Sequence, residues 1–171
     1  TERGNAQQSS GHQCLSVVLA NTPTNMQKGN NEWERLLNEC AADSSLPGAT
    51  PDDKFFRRNQ CRLDDMPQDL SSAFNHCGKV WFGTDVVADW VAKPLEETGS
   101  MEGERGLPPF LLITGQYDFI TQSCTSGWKG VLGDDALAEE TMMKDCSHYV
   151  HFEQPAFFGS ILEDFVSRWE A

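Results

Sequence analysis

The sequence predicts an α/β fold that holds only part of a parallel sheet, with a helical insertion between its strands. Three observations predict it. Two apolar runs, Cys14-Leu15-Ser16-Val17-Val18-Leu19-Ala20 and Pro109-Phe110-Leu111-Leu112-Ile113-Thr114, read as strands covered on both faces. Helical patterns fill the stretch between them. The chain then closes on an amphipathic segment over 155–169, with Phe158, Ile161, Leu162, Phe165 and Trp169 on one face. Strand, helices, strand, helix, histidine turn, helix is an α/β order.

Taken in sequence, residues 1–13 are polar and rich in Gly, Ser and Gln, the composition of a loop. Asn21-Thr22-Pro23 ends the first strand. Over 31–42, Trp33, Leu36, Leu37 and Cys40 share one face at helical spacing. After a linker from Ser44 to Pro51, Thr50-Pro51-Asp52-Asp53 has the form of a helix start, with Thr50 as N-cap and Pro51 at the first position. Phe55 and Phe56 follow within that helix. A second start, Pro67-Gln68-Asp69, leads into a helix carrying Leu70 and Phe74. Residues 85–93, with Val86, Val87, Trp90 and Val91, predict a short helix, and the Glu- and Gly-rich 96–107 an exposed loop. Residues 135–144 read as helical. His148–Gln154 reads as a loop, ended by Pro155 at the start of the last helix.

A length of 171 residues suffices for one domain with a substantial core. The net charge of −13 excludes nucleic acid as the main partner, because phosphate binding needs a basic surface, and it disfavours anionic membranes. No run approaches the roughly 20 apolar residues of a membrane span. The N-terminus has no apolar signal core and opens on Thr1 rather than Met, the pattern of a chain that starts inside a longer reading frame or after processing. Six scattered cysteines without a CxxC pair read as free, mostly buried thiols in a reducing, cytoplasmic setting.

The chemistry-bearing residues are Asp118 and His148. Asp118 follows an apolar strand and the turn Gly115-Gln116-Tyr117, where parallel strands present functional groups. His148 lies in Cys146-Ser147-His148-Tyr149-Val150-His151-Phe152-Glu153-Gln154-Pro155. An acid after a strand and a histidine ahead of a final helix is the order of the last two members of a Ser…Asp…His triad. The bland alternatives are a turn aspartate and a polar helix-entry residue. His148-x-x-His151 with Glu153 and Cys146 also admits a metal reading, but neither the helical i, i+4 histidine pair nor a cysteine pair is present. No motif calls for a cofactor. The nucleophile is unknown: no Gly-x-Ser-x-Gly occurs, Ser10 before Gly11 has no strand ahead of it, and Cys124, Ser126 and Ser147 have no elbow context.

Four stretches together resemble the C-terminal part of an α/β-hydrolase of the proline iminopeptidase type. Leu15–Pro23 is similar to the strand after the nucleophile helix. Cys61-Arg62-Leu63-Asp64-Asp65-Met66-Pro67, with Leu70 and Phe74, resembles a cap-domain motif in which Cys-Arg precedes Trp-Pro. Gly115–Thr121 resembles the turn bearing the triad acid, and Ser147–Pro155 the turn bearing the triad histidine. The resemblance implies a partial α/β-hydrolase fold, with residues 1–30 and 107–171 in the core and 31–106 as a helical cap. It implies Asp118 as triad acid and His148 as triad base. It further implies an aminopeptidase, a protease that releases an N-terminal residue by acyl transfer, with a peptide or small ester or amide as substrate. Phe119 stands where the family often has an amine-binding Glu, and Val80-Trp81-Phe82-Gly83-Thr84-Asp85 lacks the cap's Gly-x-x-Glu-Phe. The competing expectation is a non-catalytic α/β-hydrolase remnant acting as a binding module.

Overall fold

Phe110–Gly115 (β2) forms the centre of a three-stranded parallel sheet and, of the strands described, it alone is buried on both faces. The computed structural model describes residues 14–76, 87–95 and 107–169. Ser10, Cys77, Val80–Asp85 and the predicted loop up to residue 106 therefore lie outside the described residues. Val17–Ala20 (β1) pairs with β2 in the register Val17 to Phe110, and Ala138–Met143 (β3) pairs with its other side in the register Phe110 to Ala138.

Two strand expectations are corrected. β1 is covered on one face only: it is an edge strand whose exposure alternates, with Val18 36% exposed. The segment 138–143, expected to be helical, is β3. Its Ala, Glu and Met content favours a helix locally. Pairing along all six residues of β2 overrides that preference, as tertiary context commonly does. The alternation Glu139, Thr141, Met143 against exposed Ala138, Glu140 and Met142 is an edge strand's pattern.

Met26–Ala42 (α1) starts earlier than the apolar spacing indicates. Asn25 caps it, its side chain accepting from Lys28 N–H at 3.0 Å, while the polar first turns carry no hydrophobic signal. Pro51–Phe55 (α2) opens on a capping box, with Asp53 N–H to Thr50 Oγ1 at 3.1 Å and Thr50 N–H to Asp53 Oδ2 at 3.2 Å. It runs on as a π-helical turn over Phe56–Gln60. Gln68–His76 (α3) follows. The helix expected over 85–93 does not extend that far, because Val91 makes an antiparallel bridge with Asn25.

Two short helices outside the sequence expectations, Gln122–Thr125 (α4) and Trp128–Leu132 (α5), lead from β2 to β3. Their signal was present. Ile120, Cys124, Trp128 and Leu132 recur every four residues and all are buried. Val150–Glu153 (α6) replaces part of the expected His148–Gln154 loop, and Pro155–Trp169 (α7) closes the chain.

The core on one face of the sheet joins Leu111, Ile113, Met143, Cys146, Val150 and Phe165, with Phe158, Ile161 and Leu162 of α7 packed against it. Full burial of a side chain such as Phe165 contributes about 1.5–3 kcal/mol. Trp169, expected on this face, is instead 39% exposed, its indole N–H directed at Glu139. A second cluster of Leu36, Cys40 and Phe55 packs against Phe119, next to Asp118, and so ties α1 and α2 to the sheet's C-terminal end. No helix among the described residues is long and apolar enough to cross a membrane.

Candidate functional site

Parallel pairing brings the C-terminal ends of β2 and β3 side by side, and each is followed by a turn. Gln116 N–H donates to Met143 O and Tyr117 N–H to Cys146 O, so the two turns are bonded along their backbones. The first carries Asp118 and the second His148. His148 Nδ1 lies 3.0 Å from Asp118 Oδ1 and 3.2 Å from Oδ2. Asp118 Oδ1 also accepts Ile120 N–H at 2.8 Å. The Asp118 side chain is fully buried and that of His148 is 25% exposed. Among the described residues nothing hydrogen-bonds His148 Nε2, so the ring is held from one nitrogen with the other open.

Burial pushes the Asp118 carboxyl above its ordinary value, and the hydrogen bond and charge of His148 act in the opposite direction without cancelling it. The unfolded carboxyl titrates near 3.9. A folded-state value above that contributes stability that is complete below the unfolded value and fades as pH rises through the folded one. The expected result is that Asp118→Asn, which keeps an acceptor for Ile120 N–H, gains stability relative to the parent as pH rises from about 4. Urea unfolding of both proteins at pH 4 and pH 7 measures this.

Asn21 is a member of the site that sequence reasoning passed over as a strand terminator. It is buried and left-handed at φ 50°. Its Oδ1 accepts Gly115 N–H at 3.1 Å, its own N–H donates to Ile113 O, and its Nδ2 donates to His148 O. One side chain therefore clamps the end of β2 to the histidine turn. The available signal was an Asn directly after a strand, a residue type that tolerates the left-handed region.

The helices are tied in as well. Buried Asn59, on the π-helical turn, donates to Tyr117 O at 2.8 Å, and Tyr149 N–H donates to Gln60 O at 3.0 Å. π-Turns recur at functional sites because they re-aim a single residue. Phe119 lies against the His148 ring, centroids 4.5 Å apart, and Tyr149 meets it edge-on at 5.1 Å.

The remaining sequence candidates are placed elsewhere. Ser147 is fully buried, its N–H and Oγ both directed at the Glu153 carboxylate, with Oγ to Oε1 at 2.7 Å. Cys124 is buried among α4 contacts. His151 stacks on Phe152 and Phe158, its pKa lowered by burial and by the nearby charge of His148. Burial and the charges of Glu153 and Asp145 push the Cys146 thiol up to about 11, so it stays protonated at neutral pH. Among the described residues no group of three His, Cys, Asp or Glu side chains is placed to hold a metal ion. No described serine, threonine or cysteine side chain hydrogen-bonds His148.

Glu153→Ala would leave the buried Ser147 N–H and hydroxyl without an acceptor. The expected cost is about 1–3 kcal/mol, read from denaturant unfolding. Parental stability in this variant would show that the turn does not depend on that carboxylate.

Neither a protein-family model nor a curated protein matches the chain. Solved structures do. A proline iminopeptidase from Mycobacterium smegmatis is matched at 19% identity and TM-score 0.62, over 90% of this chain and 57% of that one. The crystal structure of VinJ is matched at 17% identity and TM-score 0.60, with the same coverage. The chain thus spans 57% of the length of these structures. The three-stranded parallel sheet and its helices are a partial α/β-hydrolase fold.

Proposed function

We propose that this chain is the C-terminal part of a serine hydrolase that works by acyl transfer. His148 is the general base and Asp118 its orienting acid. The observation that carries this reading is the Asp118–His148 pair, 3.0 Å apart on turns that leave the C-terminal ends of adjacent parallel strands. With Nδ1–H donated to Asp118, the Nε2 lone pair is free to take a proton. An attacking serine hydroxyl gives its proton to Nε2, and the imidazolium that forms is stabilised by the buried carboxylate. The same proton then passes to the leaving group. In this reading helices α1 to α3 form the cap: Phe55 packs on Phe119, the Asn59 side chain donates to Tyr117 O, and Gln60 O accepts Tyr149 N–H.

The finer reading is a proline iminopeptidase-like aminopeptidase, acting on a peptide or on a small ester or amide. Its support is the four-stretch sequence resemblance, together with a structural match to one protein of that title. In this reading the nucleophile, on a strand-to-helix elbow, precedes these segments in a longer chain.

The test is a serine-directed fluorophosphonate and an aminoacyl arylamide, offered to the 171-residue chain and to a longer chain that adds an elbow serine. The short chain is expected to take no label and show no turnover, and the longer one to do both. Stoichiometric labelling of one residue in the short chain would place the nucleophile within it and overturn the assignment. A non-catalytic binding module is the second reading, favoured by the lack of any described hydroxyl or thiol on His148. A longer chain that binds peptide but never takes label would establish it.

A further inference from the structure

Acidic groups outnumber basic ones by 26 to 13, yet four of the 13 basic side chains line one cavity. Lys54, Arg57, Arg58 and Arg62 line an open cleft of about 310 Å³ together with Leu46, Pro47, Leu63 and Asp64. In so acidic a protein, cations are expected to be paired. Arg35 shows this with Glu32 and Glu39, and Arg168 with Glu139. None of the four cavity cations lies in an ion pair among the described residues.

Their direct contacts are to carbonyls, a thiol or a ring rather than to a carboxylate, although the Asp43 carboxylate lies near enough to feel the charges of Arg58 and Lys54. Lys54 Nζ donates to Asp43 O at 2.7 Å, Arg57 Nη1 reaches Asp64 O at 3.4 Å, and the Arg62 guanidinium lies 4.1 Å above the Tyr117 ring. Lys54 and Arg58 are half-buried, while Arg57 and Arg62 are exposed at the rim. Asp64 supplies the one carboxylate in the lining and Asp43 a second beside Arg58 and Lys54, so four cations face two carboxylates, an excess of two positive charges.

We propose that this cavity binds a phosphate-type oxyanion. A carboxylate carries one charge and is satisfied by one guanidinium fork. A phosphate monoester carries nearly two charges and three acceptor oxygens, which suits several cations converging from different directions. A second cavity of about 510 Å³ adjoins the first, sharing Arg57, Leu63 and Asp64 with it, and its lining joins Trp33, Phe55, Phe56 and Phe74 with Asp52 and Asp53. An oxyanion seated among the arginines can therefore carry an apolar or aromatic group into the neighbouring space. The inference concerns binding alone and stands whether or not the chain takes part in acyl transfer.

Isothermal titration calorimetry of the full chain at constant ionic strength tests it, with phenyl phosphate, inorganic phosphate and benzoate as probes. Saturable one-to-one binding of phenyl phosphate is expected. Arg57→Gln/Arg58→Gln should weaken it about tenfold or more, and Asp64→Asn, which removes a competing carboxylate, should tighten it about threefold. Phenyl phosphate binding more tightly than inorganic phosphate identifies an organic phosphate ester as the ligand. Equal affinities identify free phosphate, and both results support the site. Benzoate binding as tightly as phenyl phosphate overturns the phosphate assignment. No saturable binding, or unchanged affinity in the double variant, overturns the site. If the double variant does not fold, Asp64→Asn decides alone, and parental affinity in that variant counts against the proposal.

Discussion

His148→Ala, in a longer chain that supplies the serine, is expected to lower kcat by about 10⁴-fold or more with little change in KM. The reason is geometric. Nε2 is the open nitrogen of a ring whose Nδ1 is fixed by a buried carboxylate, and among the described residues no second imidazole hydrogen-bonds Asp118. His151, three residues on, packs on the Phe152 and Phe158 rings and has no hydrogen bond to Asp118. Asp118→Asn should cost a similar factor by a different route. An amide facing Nδ1 favours the wrong tautomer while leaving the Ile120 contact in place. Steady-state kinetics on an activated ester measure both. Retention of most activity in His148→Ala would remove the base assignment.

Gly115→Ala is expected to cost about 3 kcal/mol or more and to separate the pair. A Cβ on residue 115 would stand 2.0 Å from Ser147 O, 2.8 Å from Ser147 C and 3.0 Å from Cys146 O. All three are backbone atoms, so no side-chain rotation relieves the overlap. The 146–148 backbone must move away, and with it the Tyr117 N–H to Cys146 O bond and the position of His148. Urea unfolding gives the stability loss. Loss of the carboxylate-bonded imidazole N–H resonance in proton NMR reports the separation. A variant with parental stability and that resonance intact would show that the two turns do not meet at Gly115.

Much of the site was legible along the chain because its parts are local. Asp118 follows a strand that is apolar on both faces, and His148 sits just ahead of a helix with a strong apolar stripe. Thr50 and Asp53 announce their helix start through side chains that bond each other's backbone. The clamping role of Asn21 was not legible. Its role depends on Gly115 and His148, which are 94 and 127 residues away in sequence and reach it only once the strands pair. Asn59 likewise reads as an ordinary helix residue until its turn widens toward Tyr117 O.

β3 divides the two kinds of information most clearly. Taken alone, Ala138–Met143 is built of good helix formers, and as a helix it would leave no strand to carry His148 to the sheet's end. Six backbone pairings with β2, and a buried Met143 against Phe165, outweigh that local preference. From the sequence alone came the α/β class, the central strand, the helical stretch between the strands, and the identity and order of Asp118 and His148. The tertiary structure alone decided the third strand, the Asn21 clamp, the 3.0 Å approach of the two side chains and the meeting of four cations at one cavity. Propensity and periodicity act over a few residues, whereas these features arise from hydrogen bonds and packing between segments that only the fold brings together.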